Sequence, residues 1–200
     1  MKTAKPSSDD LRGQILKRVV PFLKRHGTDR ASVDEIMKAA GLTSGALYSQ
    51  FKNKEDLCTQ AICSALDAML DSYQKIAREK GREGLKLIVS KYLTEAHAGA
   101  VSGGCTFAAL GPQMAKATPR ARRAYEQRIH AMVQIFVDGL GAGPEKERRA
   151  KAQHILSSLL GALTFARALS DGEASKDFLS QVKAQVLRDL DAPMKERRSP

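Results

Sequence analysis

Residues 32–57 read SVDEIMKAAGLTSGALYSQFKNKEDL. Ser32 followed three residues later by Glu35 has the form of a capping box, in which the hydroxyl takes up a first-turn N–H and the carboxylate reaches back to the chain. Ile36 and Met37 give the helix an apolar side, and Gly41 supplies a left-handed stop. A helix of about two turns is expected. Thr43 then stands where a second short helix needs its cap, with Leu47 and Phe51 four apart on the inner side. Two short helices across a glycine turn make a helix-turn-helix signal.

Outward from this pair the pattern stays helical. Leu11, Ile15, Val19, Phe22 and Leu23 share one face of a first helix, with Arg12, Lys17, Arg18 and Lys24 between them. Pro21 lies inside it, where it removes one backbone hydrogen bond and is expected to kink the axis. Asn53 with Asp56 opens a long fourth helix carrying Leu57, Ile62, Leu66, Met69, Tyr73 and Ile76, expected to end at Lys80-Gly81. Further helices are expected over residues 83–97, 105–117, 119–140, 144–168 and 175–190. Pro119 and Pro144 are read as first helical positions, and glycine clusters at 99–104 and 139–143 supply breaks. No segment alternates as a strand and no fixed repeat appears.

The composition limits the partners. Two hundred residues, 42% hydrophobic and 28% charged, bury a core without disulfides or metal and exclude a fibrous or disordered chain. Lys and Arg outnumber Asp and Glu 33 to 22, for a net charge of +11. An acidic partner follows, either nucleic acid or an anionic surface. Residues 1–55 hold 11 Lys and Arg against 6 Asp and Glu, and the other 145 hold 22 against 16, so the first quarter is the more basic per residue. The longest apolar stretch, residues 156–166, falls short of the roughly 18 residues a membrane span needs. Residues 1–10 lack the apolar core of a signal peptide, so a cytoplasmic chain without membrane contact is expected. Cys58, Cys63 and Cys105 are odd in number and lack metal-ligand spacing, which predicts free thiols.

The outer face of the third helix carries the chemistry. With Leu47 inward, about 100° per residue turns Gly45 and Ser49 nearly opposite it and sets Ala46 and Tyr48 on the flanks. Thr43 and Ser44 lie at the N-terminus, where recognition helices meet base edges, and Gly45 and Ala46 allow close approach to the floor of a major groove. Tyr48 and Ser32 can give hydroxyls to phosphates, and Lys52 and Lys54 can neutralise them. Double-stranded DNA is the expected partner.

Residues 15–57 resemble the DNA-binding domain of TetR-family transcriptional regulators. The Ala39-Ala40-Gly41 turn, the Gly45-x-Leu47-Tyr48-x-x-Phe51 helix and the following Lys54-Glu55-x-Leu57 match that pattern in order and spacing, with departures at Pro21 and Gln50. The resemblance implies that the third helix reads the major groove and that Tyr48 and Lys54 hold phosphates. With the helices read above, the pattern gives an all-α chain of about nine helices. An N-terminal three-helix helix-turn-helix domain would span residues 1–55, and a larger helical effector-binding and dimerisation domain residues 56–200. The last two long helices carry Ile155, Leu159, Leu163 and Ala166, then Leu179, Val182, Val186 and Leu190. By the same resemblance, these form a two-fold homodimer through a four-helix bundle. The implied function is a sequence-specific regulator, a repressor released from a palindromic operator by a small-molecule effector.

Other residues admit a plainer reading beside the functional one. Tyr73, Tyr92, Cys105, Phe107, Met114, Met132, Phe136 and Phe165 are candidates for an apolar effector cavity, and equally for ordinary core. Cys105 follows two glycines at a helix start, a setting that favours thiolate. A redox- or electrophile-sensing regulator is therefore one alternative, against a small buried hydrophobe. A helical interaction module that binds no DNA is another. Arg120, Arg122, Arg123 and Arg128 read as a solvated face. His97, His130 and His154 lie more than twenty residues apart, and neither metal nor cofactor is expected. No Ser-His-Asp order, carboxylate pair or phosphate-binding glycine loop is present, so no enzyme is expected.

Overall fold

The computed structural model describes residues 8–193, so the polar stretch at residues 1–10, read as lacking a signal peptide, lies largely outside the described residues. Nine helices and no strand occur among the described residues, in the order α1 (Ser8–His26), α2 (Val33–Ala39), α3 (Ser44–Gln50), α4 (Lys54–Tyr92), α5 (Glu95–Gly99), α6 (Thr106–Met114), α7 (Pro119–Gly139), α8 (Glu145–Ala168) and α9 (Gly172–Asp191). The chain divides into two compact units. One takes residues up to 68 together with 101–126, and the other takes 69–100 together with residues from 127 onward.

In the first unit, Ile15, Val19 and Leu23 of α1, Ile36 and Met37 of α2, Leu47 of α3 and Leu57 of α4 are fully buried. Burial of such side chains stabilises a fold by about 1.5–3 kcal/mol each. α1 continues through Pro21, which is exposed. The capping box on α2 is present: Ser32 Oγ accepts from the Glu35 N–H, and the Glu35 carboxylate accepts from the Ser32 N–H at 2.8 Å. Gly41 has the left-handed φ of 71° its place predicts. Thr43 is the N-cap of α3 by backbone angle, but its hydroxyl makes no capping bond.

The second unit departs from expectation at helix ends, each time for a local reason. Gly81 leaves helical geometry (φ 54°, ψ −130°), as its reading as a stop predicts, yet helix resumes at once and α4 runs on to Tyr92. The bend brings the Ile76 carbonyl within 2.5 Å of where a Cβ on Gly84 would stand, so a side chain there would force the bend open. The helix expected over residues 83–97 is instead the end of α4 and a separate α5, divided by Thr94, whose hydroxyl caps the His97 N–H at 3.1 Å. Pro119 does open α7, whereas Pro144 is the cap before α8 rather than its first residue. α9 starts three residues earlier than expected because the Asp171 side chain accepts from the Glu173 N–H at 2.9 Å. α8 packs along α9, and Lys86 of α4 pairs with Asp191 at 2.6 Å.

Candidate nucleic-acid interface

α3 is too short to hold its own shape, since helices of seven residues are marginal without tertiary support. Leu47 (0% exposed) and Phe51 (4%) anchor its inner side. The Arg12 guanidinium lies 4.9 Å over the Phe51 ring, donates to the Gln50 carbonyl at 3.0 Å and reaches Gln60 Oε1 at 2.5 Å. One side chain of α1 thereby joins the end of α3 to α4. At the other end, the Ser44 hydroxyl donates to the Asp34 carboxylate, fixing the start of α3 to α2. Arg18 donates to the Ala40 carbonyl at 3.3 Å, behind the turn.

What α3 leaves outward is the face expected of it. Thr43, Gly45, Tyr48 and Ser49 are exposed, Tyr48 at 66%, and Ala46 is half-buried. The Ser49 hydroxyl donates back to the Ala46 carbonyl at 2.9 Å. Ser44 is half-buried and spent on Asp34, so Thr43 is the hydroxyl at this end without a bond inside the helix pair. Ser32 is exposed at the start of α2, and Lys52 is exposed before α4. Lys54 is half-buried, and its ammonium donates to the Asp29 carbonyl at 3.3 Å.

The start of α4 is braced by the side-chain oxygens of Asn53 and Asp56. Asn53 Oδ1 accepts from the Asp56 N–H at 2.9 Å, while the Asp56 carboxylate accepts from the Lys52 N–H at 3.1 Å and lies 3.7 Å from Arg120. Partial burial pushes the Asp56 carboxyl up, but hydrogen bonds from Gln60 and Lys52 and the charges of Arg120 and Arg12 outweigh it, so it titrates below the ordinary range. The Ser32 N–H and hydroxyl hold Glu35 low in the same way.

Of the residues offered for an effector cavity, Met114 lines a cavity of about 500 Å³ in the first unit. Phe107 is buried edge-on to Tyr125 at 5.3 Å. Met132, Phe136 and Tyr92 are buried in the second unit and Tyr73 is half-buried there. Cys105 is 4% exposed, which turns its thiol away from solvent. Ile155, Leu159, Leu163, Ala166, Leu179, Val186 and Leu190 are almost wholly buried and Val182 half-buried, within one chain. These residues close the α8–α9 seam and are not the surface that the two helices present. That surface carries Phe165 (63% exposed), Phe178 (36%) and Leu169 (42%), the two rings meeting at 5.8 Å. Arg120, Arg122 and Arg123 are exposed, as a solvated face requires, whereas Arg128 is half-buried.

Arg12, Asp34, Gln60 and Gln113 do not stand out in the sequence. Their partners lie 10 to 85 residues away, beyond any local pattern.

Residues 17–61 match the family model for bacterial regulatory proteins of the tetR family. The fatty acid metabolism regulator protein of Bacillus subtilis is 29% identical over 83 residues, 40% of this chain and 43% of that one. The chain spans under half the length of the curated relatives it matches. Among solved structures, a TetR-family transcriptional regulator from Cytophaga hutchinsonii shares the fold with a TM-score of 0.79 at 16% identity, covering 98% of this chain and all of that one. The transcriptional regulator FadR from Bacillus subtilis, in complex with stearoyl-CoA, gives a TM-score of 0.68 at 20% identity over 88% of this chain and 96% of that one. Residues 17–61 thus form a helix-turn-helix segment of the kind found in bacterial regulatory proteins of the tetR family.

Proposed function

We propose that the chain is a sequence-specific DNA-binding regulator of transcription, a homodimeric repressor released by a small-molecule effector. The observation that carries this reading is the outer face of α3, small and polar above a buried Leu47 and Phe51 and flanked by Tyr48, Lys52 and Lys54. Thr43, Gly45, Ala46 and Ser49 meet base edges; Ser32, Tyr48, Lys52 and Lys54 meet phosphates. Ser44 acts indirectly, by holding α3 against Asp34. DNA reading belongs to residues 1–55, and effector binding and dimerisation to residues 56–200.

A second copy of the chain covers the Phe165–Phe178 face, since the inner residues of α8 and α9 are already taken. Two-fold pairing would offer two recognition helices to a palindrome. An effector releases DNA only if it binds the DNA-incompetent state more tightly. The stearoyl-CoA held by FadR, which shares the fold, supports a ligand-responsive second domain. This reading gives the chain a cytoplasmic place and no catalytic role. No helix among the described residues is long and apolar enough to cross a membrane.

Selection of bound fragments from a random duplex pool tests the proposal. The expected product is one palindrome, bound with a steep salt slope. Retention of unrelated sequences with equal efficiency overturns it.

A further inference from the structure

Residues 99–125 carry Lys116, Arg120, Arg122 and Arg123 and no carboxylate side chain. From residue 101 onward this stretch belongs to the same compact unit as the helix-turn-helix pair. Its basic end is set against the start of α4. Lys116 lines the larger cavity of that unit together with Lys54, and Arg120 lines a smaller cleft together with Lys52. The cations before and at the start of α7 therefore adjoin the two lysines that the proposed function gives to phosphates.

Two polar contacts fix this approach. The Thr118 hydroxyl donates to the Glu55 carboxylate, and Arg120 pairs with Asp56 at 3.7 Å. Asp56 also accepts from the Lys52 N–H, and its side chain is largely buried, so it braces the start of α4 and presents little charge outward. With Arg122 and Arg123 included, six cations meet three carboxylates on this side of the unit, those of Asp29, Glu55 and Asp56. The excess is positive and lies toward α7.

The face is set by the helix itself. Ala121 and Tyr125 are buried and define the inner side of α7. At about 100° per residue, Arg123 stands directly opposite them, Arg120 on the flank that meets Asp56, and Arg122 on the other flank. All three arginines are exposed, and neither Arg122 nor Arg123 has an acidic partner among the described residues. Arg120 and Arg123 are one turn apart, a spacing at which like charges destabilise a helix. A phosphate beside them converts that repulsion into charge-assisted hydrogen bonds, for which the guanidinium fork is well shaped.

We propose that Arg120 and Arg123 hold DNA phosphates next to those met by Lys52 and Lys54, so that contact with the duplex backbone continues from the helix-turn-helix pair onto the first turn of α7. The inference rests on the DNA-binding reading above. Base reading stays with α3, and α7 adds affinity without sequence preference, because a phosphate carries no base identity.

The test follows binding of the full chain to sheared mixed-sequence duplex and to the selected palindrome, by fluorescence anisotropy across a range of salt. Arg120→Gln combined with Arg123→Gln is expected to lower the salt slope by about two per subunit on both duplexes, with the preference for the palindrome kept. Arg123→Gln alone, which breaks no bond within the fold, is expected to lower it by about one. Arg123→Lys and Arg122→Gln are expected to keep it. An unchanged slope in the double variant overturns the inference, and a reduced slope in Lys54→Ala beside it leaves the DNA-binding reading standing. An equal loss in Arg122→Gln also overturns it, since the effect is then the general field of the chain and not a contact. A reduced slope in the double variant of a protein with no preferred palindrome supports the α7 contact and overturns the sequence-specific reading instead. A wild-type chain that retains no duplex overturns both.

Discussion

Lys54 is half-buried, with its ammonium donating to the Asp29 carbonyl, and the proposed function gives its charge to a phosphate. Lys54→Ala is expected to weaken binding to every duplex and to reduce the salt slope by about one per subunit, measured by fluorescence anisotropy from low to moderate salt. Gly45→Ser is expected instead to change which palindrome is selected, with the slope kept. Identical behaviour of the two variants would contradict the division between phosphate and base contacts. Glu35 and Asp56 give the residue scale its pH dependence. Both are held below their unfolded values, so the stability they contribute is full above about pH 4 and is lost as pH falls through their folded values. The urea midpoint is expected to be level from pH 7 to 5 and to drop below pH 4. That drop should be shallower in Asp56→Asn. Serine three before glutamate made the capping box legible in the sequence, because both partners lie within one turn. Arg12 was not legible, since its bonds to Gln50 and Gln60 exist only after the chain has folded back.

Among the elements, the short helices could be read because their signals are local and their apolar positions are few. Leu47 and Phe51 are four apart, and Gly41 takes the left-handed angle its position requires. The long helices were legible in type and less so at their ends. Thr94 and Asp171 cap α5 and α9 through side-chain bonds that the apolar periodicity does not mark. The connection from α1 to α6 is the element-level feature that sequence hides. Gly27 has a φ of +84°, and a Cβ there would fall 2.9 Å from the Gln113 amide. Gly27→Ala is therefore expected to cost about 1–2 kcal/mol, read as a lower urea midpoint. A midpoint equal to wild type would show that the turn accepts a side chain.

For the whole molecule, helical class and helix number followed from periodicity and from glycine and proline punctuation, but the assignment of apolar residues to inner and outer seams did not. A 3.6-residue period marks which side of α8 is apolar, and it says nothing about whether that side meets α9 or another chain. Phe165 and Phe178, exposed and in contact with each other, are the side chains that distinguish the two. Phe165→Glu is expected to leave the helix content intact, give a monomer by sedimentation equilibrium and lower affinity for the palindrome far more than for random duplex. A variant that remains dimeric would place the partner elsewhere. The closed seam has a thermodynamic corollary. Leu159, Leu163, Leu179 and Leu190 leave water without help from a second polypeptide, so dilution should yield separated subunits that stay folded. Denaturation would then proceed in two stages, the first shifting with protein concentration and the second indifferent to it.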